Sequence, residues 1–123
     1  MMSGQVNAHL EPILHVTVHG PTGISRTIRA LLDTGFGGEL TLPISVIRVF
    51  ALPLSGRIAS ALADGTLKLF DVYQAQIEWD GSPRFIDVQV SDAQPLLGTE
   101  LLSSYDLSVR IAVGGPVTIV AIP

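Results

Sequence analysis

The sequence predicts a single all-β domain carrying one or two short helices, and three observations predict it. Apolar and polar residues alternate over 14–19 and again over 24–32, the period of strands half-buried in a sheet. Two Asp-Gly pairs, Asp64-Gly65 and Asp80-Gly81, each stand between strand-like runs, the strongest short-range hairpin signal. A length of 123 residues supplies one hydrophobic core and falls short of two. No internal repeat, linker or low-complexity tract divides the chain, so 1–123 reads as one domain, with 1–10 expected to be a flexible leading segment.

Composition narrows the functions open to it. Hydrophobic residues make up 47% and charged residues only 15%, with a mean hydropathy of +0.48. That is apolar for a small soluble monomer, and the surplus points to an oligomer. No apolar run approaches the eighteen or so residues of a membrane span. The segment from Met1 to His9 has neither a basic start nor an apolar stretch, so no signal peptide is expected. With no Cys there is no disulfide framework, thiolate metal site or cysteine nucleophile, and a reducing cytoplasm is the expected compartment. The net charge is −4 and the seven basic residues are scattered, which argues against a nucleic-acid partner.

Taken in order, Leu14, Val16 and Val18 share one strand face and His15, Thr17 and His19 the other. The Gly20-Pro21-Thr22-Gly23 turn returns the chain as a second strand, 24–32, forming a hairpin. His15 and His19, four apart on a strand, lie about 13 Å from each other, too far to share a metal ion. All three histidines are therefore expected on the surface, and no metal is expected. Pro43 suits the first position of a short helix, with Ile44, Ile47 and Phe50/Ala51 on one side. Strands over 57–63 and 66–73 flank Asp64-Gly65 as a type I′ hairpin, and strands over 73–79 and 84–90 flank Asp80-Gly81. A loop over 91–94 leads to a short helix over 99–104, with Leu101 and Leu102 facing inward. A strand over 107–113 follows, then the Gly114-Gly115-Pro116 turn and an apolar strand over 117–122. As a terminal edge that strand would invite aggregation, and pairing with a second copy of the chain would protect it.

One stretch carries chemistry. Apolar Ala30-Leu31-Leu32 runs into Asp33-Thr34-Gly35 and leaves through Phe36-Gly37-Gly38. Burying a lone carboxylate at a strand end costs several kcal/mol, of the order of 5, unless it gains partners. A short hydroxyl braces such a turn, and glycine lets the backbone approach another group closely. By itself Asp-Thr-Gly is also an ordinary strand-ending turn.

Context decides between these. Leu31-Leu32-Asp33-Thr34-Gly35, followed later by Leu96-Leu97-Gly98 with a hairpin between, resembles the retroviral-type (retropepsin-like) aspartic proteases. The small bacterial and archaeal members of that clan are the nearer likeness, through Asp33-Thr34-Gly35-Phe36 and Leu40-Thr41-Leu42-Pro43. The resemblance covers nearly the whole chain. It implies a retropepsin-like closed β-barrel and a homodimer, because one chain supplies one aspartate and the reaction needs two. Asp33 of each copy would meet at the two-fold axis and activate a water against a peptide bond, without cofactor or metal. It further implies that Thr34 bonds across the axis, that Gly35 offers its N–H to the carboxylate, and that Leu97 and Gly98 pack behind the loop. The hairpin at Ala63-Asp64-Gly65-Thr66 stands where the family places its substrate-covering flap. Phe36 stands where retroviral enzymes usually carry a small residue, so the pocket beside the dyad would be filled or reshaped. Gly37 and Gly38 replace acidic residues that often grip substrate backbone, and Thr99-Glu100 replaces the retroviral interface residues. Glu39 is expected to be solvated. The competing expectations are a dimeric peptide- or protein-binding module of the same fold, and a monomeric storage or scaffold protein.

Overall fold

In a computed structural model that describes residues 1–123, twelve elements follow one another along the chain. They are β1 (Met2–Val6), β2 (Pro12–His19), β3 (Ser25–Leu32), β4 (Leu40–Leu42), α1 (Ile44–Phe50) and β5 (Leu54–Ala61). Then come β6 (Leu67–Trp79), β7 (Ser82–Val90), β8 (Leu96–Leu97), α2 (Thr99–Leu102), β9 (Tyr105–Val109) and β10 (Pro116–Ala121). The strands lie in the order β5-β6-β7-β4-β8-β3-β2-β1-β10-β9. A second pairing, Val18 with Ile77 and His19 with Gln76, joins β2 to β6 and closes β2-β3-β8-β4-β7-β6 into a barrel.

The barrel closes around side chains that the strand period delivers. Leu14, Val16 and Val18 are buried from β2, and Ile77 and Trp79 from β6. β4 is buried on both faces, between its parallel neighbour β7 and its antiparallel neighbour β8. Each fully buried Leu, Ile or Val contributes about 1.5–3 kcal/mol relative to an exposed one. Helix α1 starts after Pro43, which sits at the cap position, and buries Ile47 and Phe50. Ala51 departs from expectation. It is exposed and takes a left-handed conformation (φ 54°) that ends the helix, its N–H bonding the Arg48 carbonyl.

Three further expectations are corrected. The segment 1–10 is not a loose leader: β1 pairs with β10 through Met2–Ile119 to Gln5–Pro116 and with β2 through Gln5–Ile13 and Val6–Pro12. The apolar terminal strand β10 is therefore no edge, since β1 flanks it on one side and β9 on the other. Strands expected to break at Tyr73 form a single long strand, β6.

The two Asp-Gly turns also differ. Asp80 (φ 52°) and Gly81 (φ 83°) both have positive φ between paired Trp79 and Ser82, the expected type I′ geometry. At the other turn only Gly65 (φ 84°) is left-handed. The Leu62 N–H bonds the Thr66 carbonyl at 2.7 Å and the Gly65 N–H bonds the Leu62 carbonyl at 2.9 Å. That is a three-residue loop with a glycine bulge, and Asp64 keeps ordinary backbone angles. All of β5 and the start of β6 are exposed, so this hairpin projects from the barrel as an arm.

Candidate functional site

β3 ends at Leu32, whose side chain is buried, and Asp33 follows at the rim of the barrel. The register Leu31–Leu96 and Leu32–Leu97 aligns β8 in parallel beside it. The Asp33 N–H then donates to the Leu97 carbonyl at 2.9 Å, fixing the backbone on which the carboxyl stands. One carboxylate oxygen, Oδ1, accepts the Gly35 N–H at 2.8 Å. A Cβ on Gly35 would lie 3.1 Å from that oxygen, so a side chain there would push the carboxyl aside by a few tenths of an ångström. Asp33 is half-buried while Thr34 and Gly35 are exposed, so the turn presents its carboxyl at the protein surface.

Behind the turn, backbone meets backbone. The Gly98 N–H bonds the Glu39 carbonyl at 3.0 Å, the Thr99 N–H the Phe36 carbonyl at 2.9 Å, and the Glu100 N–H the Gly38 carbonyl at 3.2 Å. A Cβ on Gly98 would overlap the Gly38 carbonyl oxygen and lie 2.6 Å from that of Phe36. Leu97 is fully buried beneath the same contact. The structure thus brings Asp33, Gly35, Phe36, Leu97 and Gly98 into one clasp, with α2 as its backing. The Phe36 ring folds over Gly38 and Gly98, where added Cβ atoms would meet it at 2.5 and 2.7 Å. Its bulk is accommodated by the missing side chains of those glycines.

Glu39 corrects the sequence reading. It is buried, not solvated; its Oε1 accepts the Asp87 N–H at 3.0 Å and its Oε2 the Arg84 Nη2 at 3.2 Å. The pair fastens the loop after Asp33 to β7. Nothing local in the sequence marks it, because both partners come from a strand that only the barrel brings near. Thr41 is also buried, and its hydroxyl accepts the Leu96 N–H at 2.9 Å.

The projecting arm is built separately. At its tip the Thr66 hydroxyl and N–H donate to Asp64 Oδ1 at 2.6 and 2.9 Å, and these bonds hold the Asp64 carboxyl below its ordinary value of 3.8. Ala63, Asp64, Gly65 and Thr66 are all exposed, and the hydrogen bonds of the tip are its own, none reaching Asp33. His9 and His15 are exposed as expected, whereas His19 is half-buried and bonds Glu78 at 3.0 Å and Ser25 at 2.8 Å. The largest cavity, about 470 Å³, lies elsewhere, between β1 and the β2–β3 pair, with Gln5, His15 and Arg29 among its lining residues.

A strand-borne Asp-Thr-Gly turn clasped from behind by Leu97-Gly98 and a short helix, on a closed barrel with a projecting hairpin, can be compared with solved structures. The chain superposes on a retropepsin-like aspartic protease from Rickettsia conorii with a TM-score of 0.65, over 98% of this chain and 91% of that one. The fold is retropepsin-like. Sequence identity across this retropepsin-like pair is only 16%. No protein-family model matches the chain, and no curated protein does. No helix is long and apolar enough to cross a membrane.

Proposed function

We propose that this chain is a homodimeric aspartic endopeptidase whose catalytic group is Asp33, one from each copy. The observation that carries the reading is the seat of that carboxyl. It is fixed by the Leu97 carbonyl and the Gly35 N–H, yet half-exposed on a retropepsin-like barrel. A single chain offers one such carboxyl where the reaction needs two, which suits a cleft completed by a second copy.

In that cleft the two Asp33 carboxyls cannot both ionise cheaply, so the pair holds one proton. The ionised member takes a proton from a bound water as it attacks the scissile carbonyl. The protonated member donates to the carbonyl oxygen. Thr34, exposed beside the axis, bonds its twin, and Gly35 keeps the carboxylates in plane. The arm carrying Ala63, Asp64, Gly65 and Thr66 closes over the bound peptide and excludes water. Phe36 forms part of the wall next to the dyad. Substrates are peptides or proteins, and no cofactor takes part.

Turnover of a mixed peptide library between pH 3 and pH 7 tests this, with Asp33→Asn beside wild type. Wild type cleaves, fastest where the pair holds a single proton, while Asp33→Asn keeps its dimeric mass and loses cleavage. Absence of cleavage by a dimeric wild type would replace the enzyme with a non-catalytic peptide-binding module.

A further inference from the structure

The outer face of β2 and β3 carries a cluster that the proposed cleavage does not use. Strand β1 pairs with β2 only through Gln5–Ile13 and Val6–Pro12, and otherwise runs beside β10. Strand β6 joins the same edge of β2 only at Val18 and His19. Between Ile13 and Val18 that edge has no partner strand, and the sheet splits. The Leu31 and Asp33 N–H groups bond the Pro95 and Leu97 carbonyls, so the odd-numbered residues of β3 face away from β2. With the register His15–Arg29, His15 likewise turns its main chain away from β3 and into the split. The largest cavity, about 470 Å³, opens here, a size usual for a small-molecule site.

Donors without partners line it. Arg29 and His15 are directly opposed on the two strands, which sets their Cβ atoms about 5 Å apart. Neither side chain makes a hydrogen bond or ion pair within the chain, and neither do those of Ser3 and Gln5 beside them. Glu11 lies within the field of Arg29, yet both its oxygens are taken, Oε1 by the Asn7 amide at 3.0 Å and Oε2 by the Gln94 amide at 2.9 Å. An imidazole and a guanidinium so opposed repel once both are charged, and an anion between them reverses the sign. Ile13 and Val6, both buried, supply the apolar part of the lining.

We infer that this cavity binds a small organic oxyanion, its phosphate or carboxylate head on Arg29 and His15 and its apolar body on Ile13 and Val6. The guanidinium fork takes two oxygens of one head group, and Ser3 and Gln5 donate to what remains. A bare ion would leave most of the cavity unused. None of the lining residues belongs to the clasp behind Asp33, so the site stands whether or not the chain cleaves peptides.

Trp79, the only tryptophan, lines a second cavity that shares Ser3 and His15 with the first, so its indole resonance reports on the same opening. Phenyl phosphate, benzoate, inorganic phosphate and benzyl alcohol are titrated into the isotope-labelled full chain and followed by NMR. Phenyl phosphate or benzoate should give saturable shifts at the Ser3, Gln5 and His15 amides and the Trp79 indole, and the tighter of the two names the head group. Arg29→Gln should weaken that binding roughly tenfold, His15→Gln less, and Arg29→Lys should retain part of it. The ligand-free spectrum of each variant shows that it folds. Failure of both organic anions to shift these peaks overturns the inference, as does unchanged affinity in Arg29→Gln and His15→Gln, or equal binding of benzyl alcohol. Inorganic phosphate binding as tightly as phenyl phosphate would overturn the organic ligand and leave only an ion contact.

Discussion

Asp33 and Gly98 show how little room the candidate site leaves to choice. The Asp33 carboxyl accepts the Gly35 N–H, and the backbone carrying it is bonded to Leu97. Gly98 lies against two carbonyl oxygens that belong to the same loop. Gly98→Ala should therefore cost about 3 kcal/mol, since backbone on both sides would have to move. Chemical denaturation of that variant checks it. The arm tip gives a pH prediction. Asp64 is held below 3.8 by Thr66, so its bonds favour the folded tip above that value. Their contribution is lost as pH falls through the depressed value, that is, below about 3.8. Carboxyl NMR titration should place Asp64 below 3.8 in wild type and shift it upward in Thr66→Val. At this scale the contacts of Gly35, Leu97 and Gly98 around the Asp33 turn were legible only through the family resemblance, since nothing in the spacing alone pairs the two segments. The sequence was silent on Glu39, whose partners Arg84 and Asp87 are brought near only by barrel closure.

Among the elements, helix α1 ends on Ala51 in a left-handed conformation that glycine adopts without cost. Ala51→Gly should stabilise the protein by about 1 kcal/mol, less a part lost to unfolded-chain entropy, as a raised denaturation midpoint would show. Strand alternation in β2 and β3 was readable because one face of each is buried and the other wet. The Asp80-Gly81 turn was readable for a similar reason, both residues adopting the positive φ that their identities favour. At Asp64-Gly65 the same dipeptide served a longer loop, because Ala61 pairs with Leu67 and sets the register outside it. Dipeptide chemistry names a turn; cross-strand register decides its length.

The whole molecule is a closed barrel with two extensions, the β5–β6 arm and the run β1-β10-β9. Sequence pattern announced the all-β class, and the family resemblance announced the relation between the Asp33 and Leu97-Gly98 segments. The pattern misplaced the open edge, because a terminal apolar strand looks like an edge until the chain's own beginning is found paired to it. The apolar surplus in composition has a counterpart in exposed Leu67, Leu69, Ile111 and Val113 on these extensions.

The central claim is that one active site needs Asp33 from two copies. Wild type and Asp33→Asn, mixed at constant total concentration and allowed to exchange subunits, test it most directly. If each site requires both carboxyls, peptide cleavage falls with the square of the wild-type fraction, because mixed dimers are inactive. A linear fall would mean that each chain works alone, and would contradict the account.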